Sequence, residues 1–211
     1  LDYAYDPVWS PDGMRIALTG KVDDLSPAQI YVMNSDGSNL IPITQGSSPN
    51  YDPAWSPDGT LVVFTSERNG HKDIYMALAN GGSLTNPYRL TNNPADDYQP
   101  DWSLNNRIAF VSNRTGNAIP EIYTMNVYGG DVINISNTGN PDSQPVWSPD
   151  GNQIAFYTTN DSISTLYTAA ADGTNRIAHV EGKDVPFGWS PNGSQFAIIS
   201  PEDNVNIYDP S

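Results

Sequence analysis

Five carboxylates stand at fixed short distances before five tryptophans. Asp6 and Asp52 lie three residues before Trp9 and Trp55, and Asp97, Asp142 and Asp184 lie five residues before Trp102, Trp147 and Trp189. If the tryptophans mark equivalent places in a repeated fold, these side chains gather on one rim. A ring of hard oxygen ligands there would hold Ca²⁺, or attract a peptide amine or a basic segment. The same residue type has a commoner local use: an Asp in a turn accepts nearby backbone N–H groups and fixes the chain's entry into a strand.

Other chemistry is sparse. His71 and His179 are the two histidines. They fall on a turn and on an outer strand, away from the carboxylates, and read as solvated surface residues. There is no Gly-x-Ser-x-Gly elbow, phosphate loop or dinucleotide fingerprint, so neither a hydrolase nucleophile nor a nucleotide site is marked. Asn34-Ser35-Asp36-Gly37 opens like a calcium loop, but its twelfth position is Gln45 rather than Glu, and it reads as a hairpin turn. No motif requires a cofactor, and Ca²⁺ is the cation that the rim would take. Asn-x-Ser/Thr sequons occur at Asn113, Asn134, Asn160 and Asn192, acceptors for glycosylation where the source has the machinery. The expectation is a chain without catalytic residues.

The elements that position these residues come from one repeated phrase. It reads Asp-Pro-Val-Trp-Ser-Pro-Asp-Gly at Trp9, Asp-Pro-Ala-Trp-Ser-Pro-Asp-Gly at Trp55, Gln-Pro-Asp-Trp-Ser-Leu-Asn-Asn at Trp102, Gln-Pro-Val-Trp-Ser-Pro-Asp-Gly at Trp147 and Pro-Phe-Gly-Trp-Ser-Pro-Asn-Gly at Trp189. The intervals of 46, 47, 45 and 42 residues are those of a four-stranded propeller blade. After each Trp comes a turn, then an apolar strand such as Leu61-Val62-Val63-Phe64-Thr65-Ser66. A further turn leads to a third strand carrying Tyr31, Tyr75, Tyr123, Tyr167 or Tyr208. Strands that are apolar throughout imply burial on both faces, as when blades pack face to face. The tryptophans and these tyrosines are read as core. The third copy departs at Leu104-Asn105-Asn106, which leaves that turn's type open.

These phrases resemble the propeller repeat of the TolB type, which is WD-repeat-like, and the propeller domains of tricorn-type and prolyl-oligopeptidase-type proteins. The Trp-Ser-Pro-Asp-Gly turn, the Ile-Ala-Phe strand and the Ile-Tyr-x-Met strand carry the likeness over essentially the whole chain. The resemblance implies a propeller whose channel mouth docks partner peptides. It says less about activity, since propellers host unrelated functions.

The fold class expected is therefore all-β, a single propeller over residues 1–211. Its five repeats run at about 4–46, 47–93, 94–138, 139–181 and 182–211. Only 22 residues follow Trp189, too few for an outer strand, so the last blade is expected to have three strands. Either the chain is cut from a longer propeller, or it closes with three strands helped by Leu1 to Ala4, or another chain donates the strand. In the last case Val205, Ile207 and Tyr208 form an open edge suited to β-augmentation.

Composition agrees with that class. Twenty Asp against four Glu, 22 Asn and three Lys favour turns over helices. The net charge of −15 argues against nucleic acid and anionic membranes. No cysteine is present, so no disulfide or thiolate site holds the fold. No 18-residue apolar run or signal peptide is seen, and the chain starts at Leu1, as a processed form or a piece of something longer would. The functional expectation is an exported, periplasmic or extracellular, interaction or scaffold module with a protein or peptide partner. Alternatives are a filament or assembly subunit joined by strand donation, and the substrate-gating propeller of a larger hydrolase.

Overall fold

The computed structural model describes residues 1–82, 87–183 and 187–209. Its described strands form five antiparallel sheets, four of four strands and a last one of three. The chain is an all-β propeller of five blades. By contact density it divides into two compact units, Leu1–Trp102 and Ser103–Ser211.

Unit 1 begins with β1 (Tyr3–Trp9), β2 (Arg15–Lys21), β3 (Gln29–Asn34) and β4 (Ile41–Pro42), hydrogen-bonded in that order. The second blade repeats the meander with β5 (Asn50–Trp55), β6 (Leu61–Ser66), β7 (Asp73–Leu78) and β8 (Tyr88–Arg89), and β9 (Asp97–Trp102) ends the unit. Unit 2 continues with β10 (Arg107–Ser112), β11 (Glu121–Asn126) and β12 (Ile133–Asn134), the third sheet being ordered β12-β11-β10-β9. The fourth blade is β13 (Asp142–Trp147), β14 (Gln153–Asn160), β15 (Ile163–Ala170) and β16 (Ile177–Gly182). The fifth is β17 (Gly188–Trp189), β18 (Phe196–Ile199) and β19 (Val205–Tyr208). Tyr3 and Ala4, expected to help that blade close, pair with Lys21 and Gly20 in the first blade. Val205 and Ile207 on β19 are 72% and 64% exposed. Among the described residues no helix is long and apolar enough to cross a membrane.

The phrase after each Trp is a self-capped turn. In the first copy Gly13 N–H donates to Ser10 C=O at 2.9 Å, with Gly13 at φ 70°. The Ser10 hydroxyl donates to Asp12 at 2.6 Å, and the same carboxylate accepts Met14 N–H at 3.0 Å. Ser56–Asp58, Ser148–Asp150 and Ser190–Asn192 repeat the arrangement. The serine hydroxyls are the largest cause holding Asp12, Asp58 and Asp150 below the usual carboxylate range. The third copy keeps the turn without glycine, because Asn106 takes the left-handed position at φ 55° and donates to Ser103 C=O. Asn tolerates that region better than most side chains.

The core lies on the faces of the middle strands. Between the first and second blades Ala17, Ile30, Ile43, Val62 and Phe64 are fully buried. Between the fourth and fifth, Ala155, Tyr157, Leu166 and Phe196 do the same. This explains the unbroken apolar strands such as β6 and β14, whose successive residues are buried on both faces. Trp55 reaches back to the preceding blade, its indole N–H donating to Val8 C=O at 3.0 Å, and Trp189 does so to Val146 C=O at 3.3 Å. Trp9 corrects the expectation that every tryptophan is core: it is 60% exposed, because no blade precedes the first one within unit 1. The Phe–Tyr pairs of blades two, three and four are each overlain by a guanidinium. Arg68 lies 4.5 Å from the Tyr75 centroid, Arg114 lies 4.9 Å from Tyr123 and Arg176 lies 4.1 Å from Tyr167.

Candidate functional site at the inner strands

The innermost strand of each of the first four blades is bent one residue before its Pro. Asp6, Asp52, Gln99 and Gln144 have φ of 50°, 55°, 52° and 55°, and the strand register shifts at the same place in β1, β5 and β13. An L residue in the left-handed region is strained, by about 1–3 kcal/mol. Four copies of one strained position, three residues before four tryptophans, are part of the blade's design rather than an accident of one loop. The bulge turns over the alternation of faces, so the residues five and three before the Trp have different surroundings although they are only two positions apart.

The position three before the Trp brings Asp6 and Asp52 into electrostatic reach of each other in unit 1. Asp52 accepts the Thr65 hydroxyl at 3.1 Å and the backbone N–H of Gln99, on the next blade, at 3.3 Å. Burial pushes its carboxyl up to about 6, helped by the Asp6 charge and resisted by those two donors. Desolvation also raises Asp6, and Tyr5 is raised by burial and then by both carboxylates. Near neutral pH this is a paired-carboxylate site in which one proton is readily held or lost.

The position five before the Trp is structural. Asn50, Asp97 and Asp142 are at most 1% exposed. Their backbone N–H groups donate to Ala28, Lys72 and Pro120 carbonyls, each just before the third strand of the preceding blade, at 2.8–2.9 Å. Asn50 also joins Gln29 and Ser48, and accepts Arg68 at 3.0 Å. Asp142 accepts Thr158 at 2.6 Å and Thr138 at 3.2 Å. Burial is the main cause raising it, opposed by these hydroxyls, Ser136 and Arg176.

The five carboxylates of the sequence reading thus fall into different sets. Asp6 and Asp52 come together, Asp97 and Asp142 are buried struts, and Asp184 lies outside the described residues. Among the described residues no three His, Asp or Glu side chains cluster as metal ligands. Gln99 and Gln144, equivalent to the aspartates, belong to the strained set, and the only trace of them in the sequence is the repeated acid-or-amide before Pro.

Both histidines differ from the solvated residues expected. His71 lies 3.4 Å from buried Asp73, which Arg89 also contacts at 2.9 Å. His179 shares a 2.8 Å hydrogen bond with Thr168 and packs on Phe196 and Tyr208, and burial lowers its pKa. Of the sequons, Asn160 is exposed at a hairpin end. Asn134 is tied to Glu121 and Tyr123, and Asn192 caps its own turn. Asn113 is half-buried.

Comparison with known proteins agrees with this architecture. The chain is 37% identical over 171 residues to the Tol-Pal system protein TolB of Francisella tularensis subsp. mediasiatica (strain FSC147), covering 80% of this chain and 39% of that protein. It is 32% identical over 214 residues to the Tol-Pal system protein TolB of Bordetella pertussis (strain Tohama I), covering 81% of this chain and 48% of that one. It therefore spans less than half the length of these relatives. Among solved structures, TolB from Acinetobacter baumannii superposes with a TM-score of 0.80 at 23% identity, covering 99% of this chain and 54% of that one. A putative TolB from Agrobacterium tumefaciens gives 0.78 at 28%, covering 90% and 72%. The tricorn protease shares the fold alone, at TM-score 0.70 and 19% identity over 98% of this chain and 21% of that one. The family described as the TolB beta propeller domain matches residues 2–87 and 83–207, and the chain belongs to it.

Proposed function

We propose that this chain is a non-catalytic recognition module of the cell envelope, working in the periplasm as part of a Tol-Pal type system. It would hold a basic or amine-bearing peptide segment of a partner protein at the inner-strand residues Asp6, Asp52 and Gln99. The observation that carries this reading is the recurring left-handed residue, which fixes an acid or amide at one position in successive blades. Backbone strain of this kind clusters at sites that hold ligands. A carboxylate pair that is partly desolvated before binding favours a cationic partner, which supplies the missing charge. The relatives named for the Tol-Pal system favour this reading over a filament subunit or the gate of a hydrolase. Ca²⁺ competes for the same oxygens and is the control ligand.

The test is calorimetric titration of this chain with the purified Tol-Pal proteins of its source, at pH 7.5. Wild type should bind one of them, and the Asp6→Asn/Asp52→Asn double variant should bind it at least tenfold more weakly, a loss of about 1.4 kcal/mol or more. Equal binding by wild type and double variant would sink the site. Binding of none of those proteins would sink the system assigned to it.

A further inference from the structure

Two blade interfaces of this chain give the turn carbonyl of the following blade a side-chain donor, and the interface of the fourth and fifth blades, laid out like the first, does not. Between the first and second blades, the Arg15 guanidinium lies 4.8 Å from the Trp55 ring centroid and its Nη2 donates to Gly59 C=O at 2.7 Å. Gly59 is the glycine of the second blade's turn, so Arg15 bridges from one blade to the turn of the next. Between the third and fourth blades the equivalent carbonyl, Gly151 C=O, is met at 3.0 Å by the Asn105 side-chain amide. Two interfaces therefore give that carbonyl a donor from the preceding blade.

The interface of the fourth and fifth blades is laid out like the first. Trp189 donates to Val146 as Trp55 does to Val8. Pro149 stands against Gly193 as Pro11 stands against Gly59. The residue six after the Trp, Arg15 in the first blade, is Gln153 in the fourth, and its side chain ends two bonds sooner. Among the described residues no donor reaches Gly193 C=O and no hydrogen bond engages the Gln153 side chain. In place of the guanidinium is a cavity of about 350 Å³, bordered by Gln153, Trp189, Gly193, His179, Thr168 and Asp209.

We propose that this cavity is a binding site for the guanidinium group of an arginine side chain presented by a partner protein. Its parts are those that hold Arg15: an indole ring for a planar cation and a turn carbonyl for its N–H. Asp209 adds a carboxylate at the border, and a chain of net charge −15 draws basic segments toward it. His179, kept neutral at pH 7 by burial, sets no positive charge against the incoming one. A lysine ammonium lacks the flat face and forked donors, so the site should prefer arginine. This site is separate from the inner-strand carboxylates and does not depend on the role given to them.

The experiment follows the tryptophan indole N–H signals by NMR while N-acetylarginine methylamide, or its lysine counterpart, is titrated into the intact chain. The arginine probe should shift Trp189 saturably, with an affinity about fivefold or more above the lysine probe. Gln153→Arg supplies the chain's own guanidinium and should weaken the probe by at least about tenfold. Arg15→Gln removes the resident guanidinium and should create a second saturable response, at Trp55. No saturable shift of Trp189 in wild type, equal binding of both probes, or undiminished binding in Gln153→Arg would each overturn the proposal. So would a silent Trp55 in Arg15→Gln, which would remove the equivalence on which the proposal stands. The wild-type titration decides by itself if either variant does not fold.

Discussion

Asp52 holds its proton to about pH 6 in the folded chain and releases it near pH 4 when unfolded. Between those values the folded state binds the extra proton, so stability falls as pH rises through this window, and the loss is complete above pH 6. Asp52→Asn removes the titration while keeping an oxygen for the Thr65 and Gln99 donors. The variant should melt several degrees above wild type at pH 8 and close to it at pH 4, measured by circular dichroism. A difference that does not change with pH would mean that the carboxylate carries no buried cost. The same substitution should weaken the proposed partner, the usual conflict between stability and a strained site. At this scale the sequence was only half legible. Asp before Trp pointed to the inner strand, but residues three and five before it could not be told apart, because the bulge that separates them is a backbone event. The burial of His179 was also hidden, since Phe196 and Tyr208 reach it from a different blade.

Strands and turns were far more legible, because turn chemistry is local. Asp-Gly and Asn-Gly turns were placed from the sequence alone, and β6 runs over the residues read for it, Leu61–Ser66. The long fourth-blade hairpin is different: β14 and β15 extend to a two-residue turn, Asp161 and Ser162, at φ 46° and 70°. Those dihedrals suit Asn-Gly. Asp161→Asn/Ser162→Gly should therefore stabilise unit 2 by about 1 kcal/mol in urea unfolding. Exposed Ala118, held at φ 56°, gives an independent check: Ala118→Gly should gain about 1 kcal/mol, because glycine bears no Cβ penalty there. A loss in either variant would mean that the turn's conformation differs from that described. The guanidinium overlays went unforeseen, because the capping arginine comes from the turn after the second strand in blades two and three and from Arg176, before the fourth strand, in blade four.

Over the whole molecule, net charge decides more than any pair. At −15 with nine cations, all six arginines are engaged in hydrogen bonds within the fold, so the negative surface is little neutralised. Raising NaCl from 10 to 300 mM should raise the melting temperature, because it screens self-repulsion over a Debye length of roughly 30 Å falling to below 8 Å. The association rate with a basic partner should fall over the same range. A melting temperature indifferent to salt would show that the charges are already balanced locally. Charge and repeat period were both plain in the sequence, and so were the class and the three-stranded last blade.

At Asn50, Asp97 and Asp142 a main-chain hydrogen bond passes from one blade to Ala28, Lys72 or Pro120 of its predecessor. A joint of that kind does not read side chains, so it survives when a blade's sequence drifts. Each repeat then behaves as an interchangeable cassette: a gene in which the second repeat is copied over the fourth keeps that bond, and must renegotiate the apolar faces and the side-chain bonds beside it. Growth of such a protein by duplication needs no new joinery, which leaves the outer faces free to acquire new partners one blade at a time.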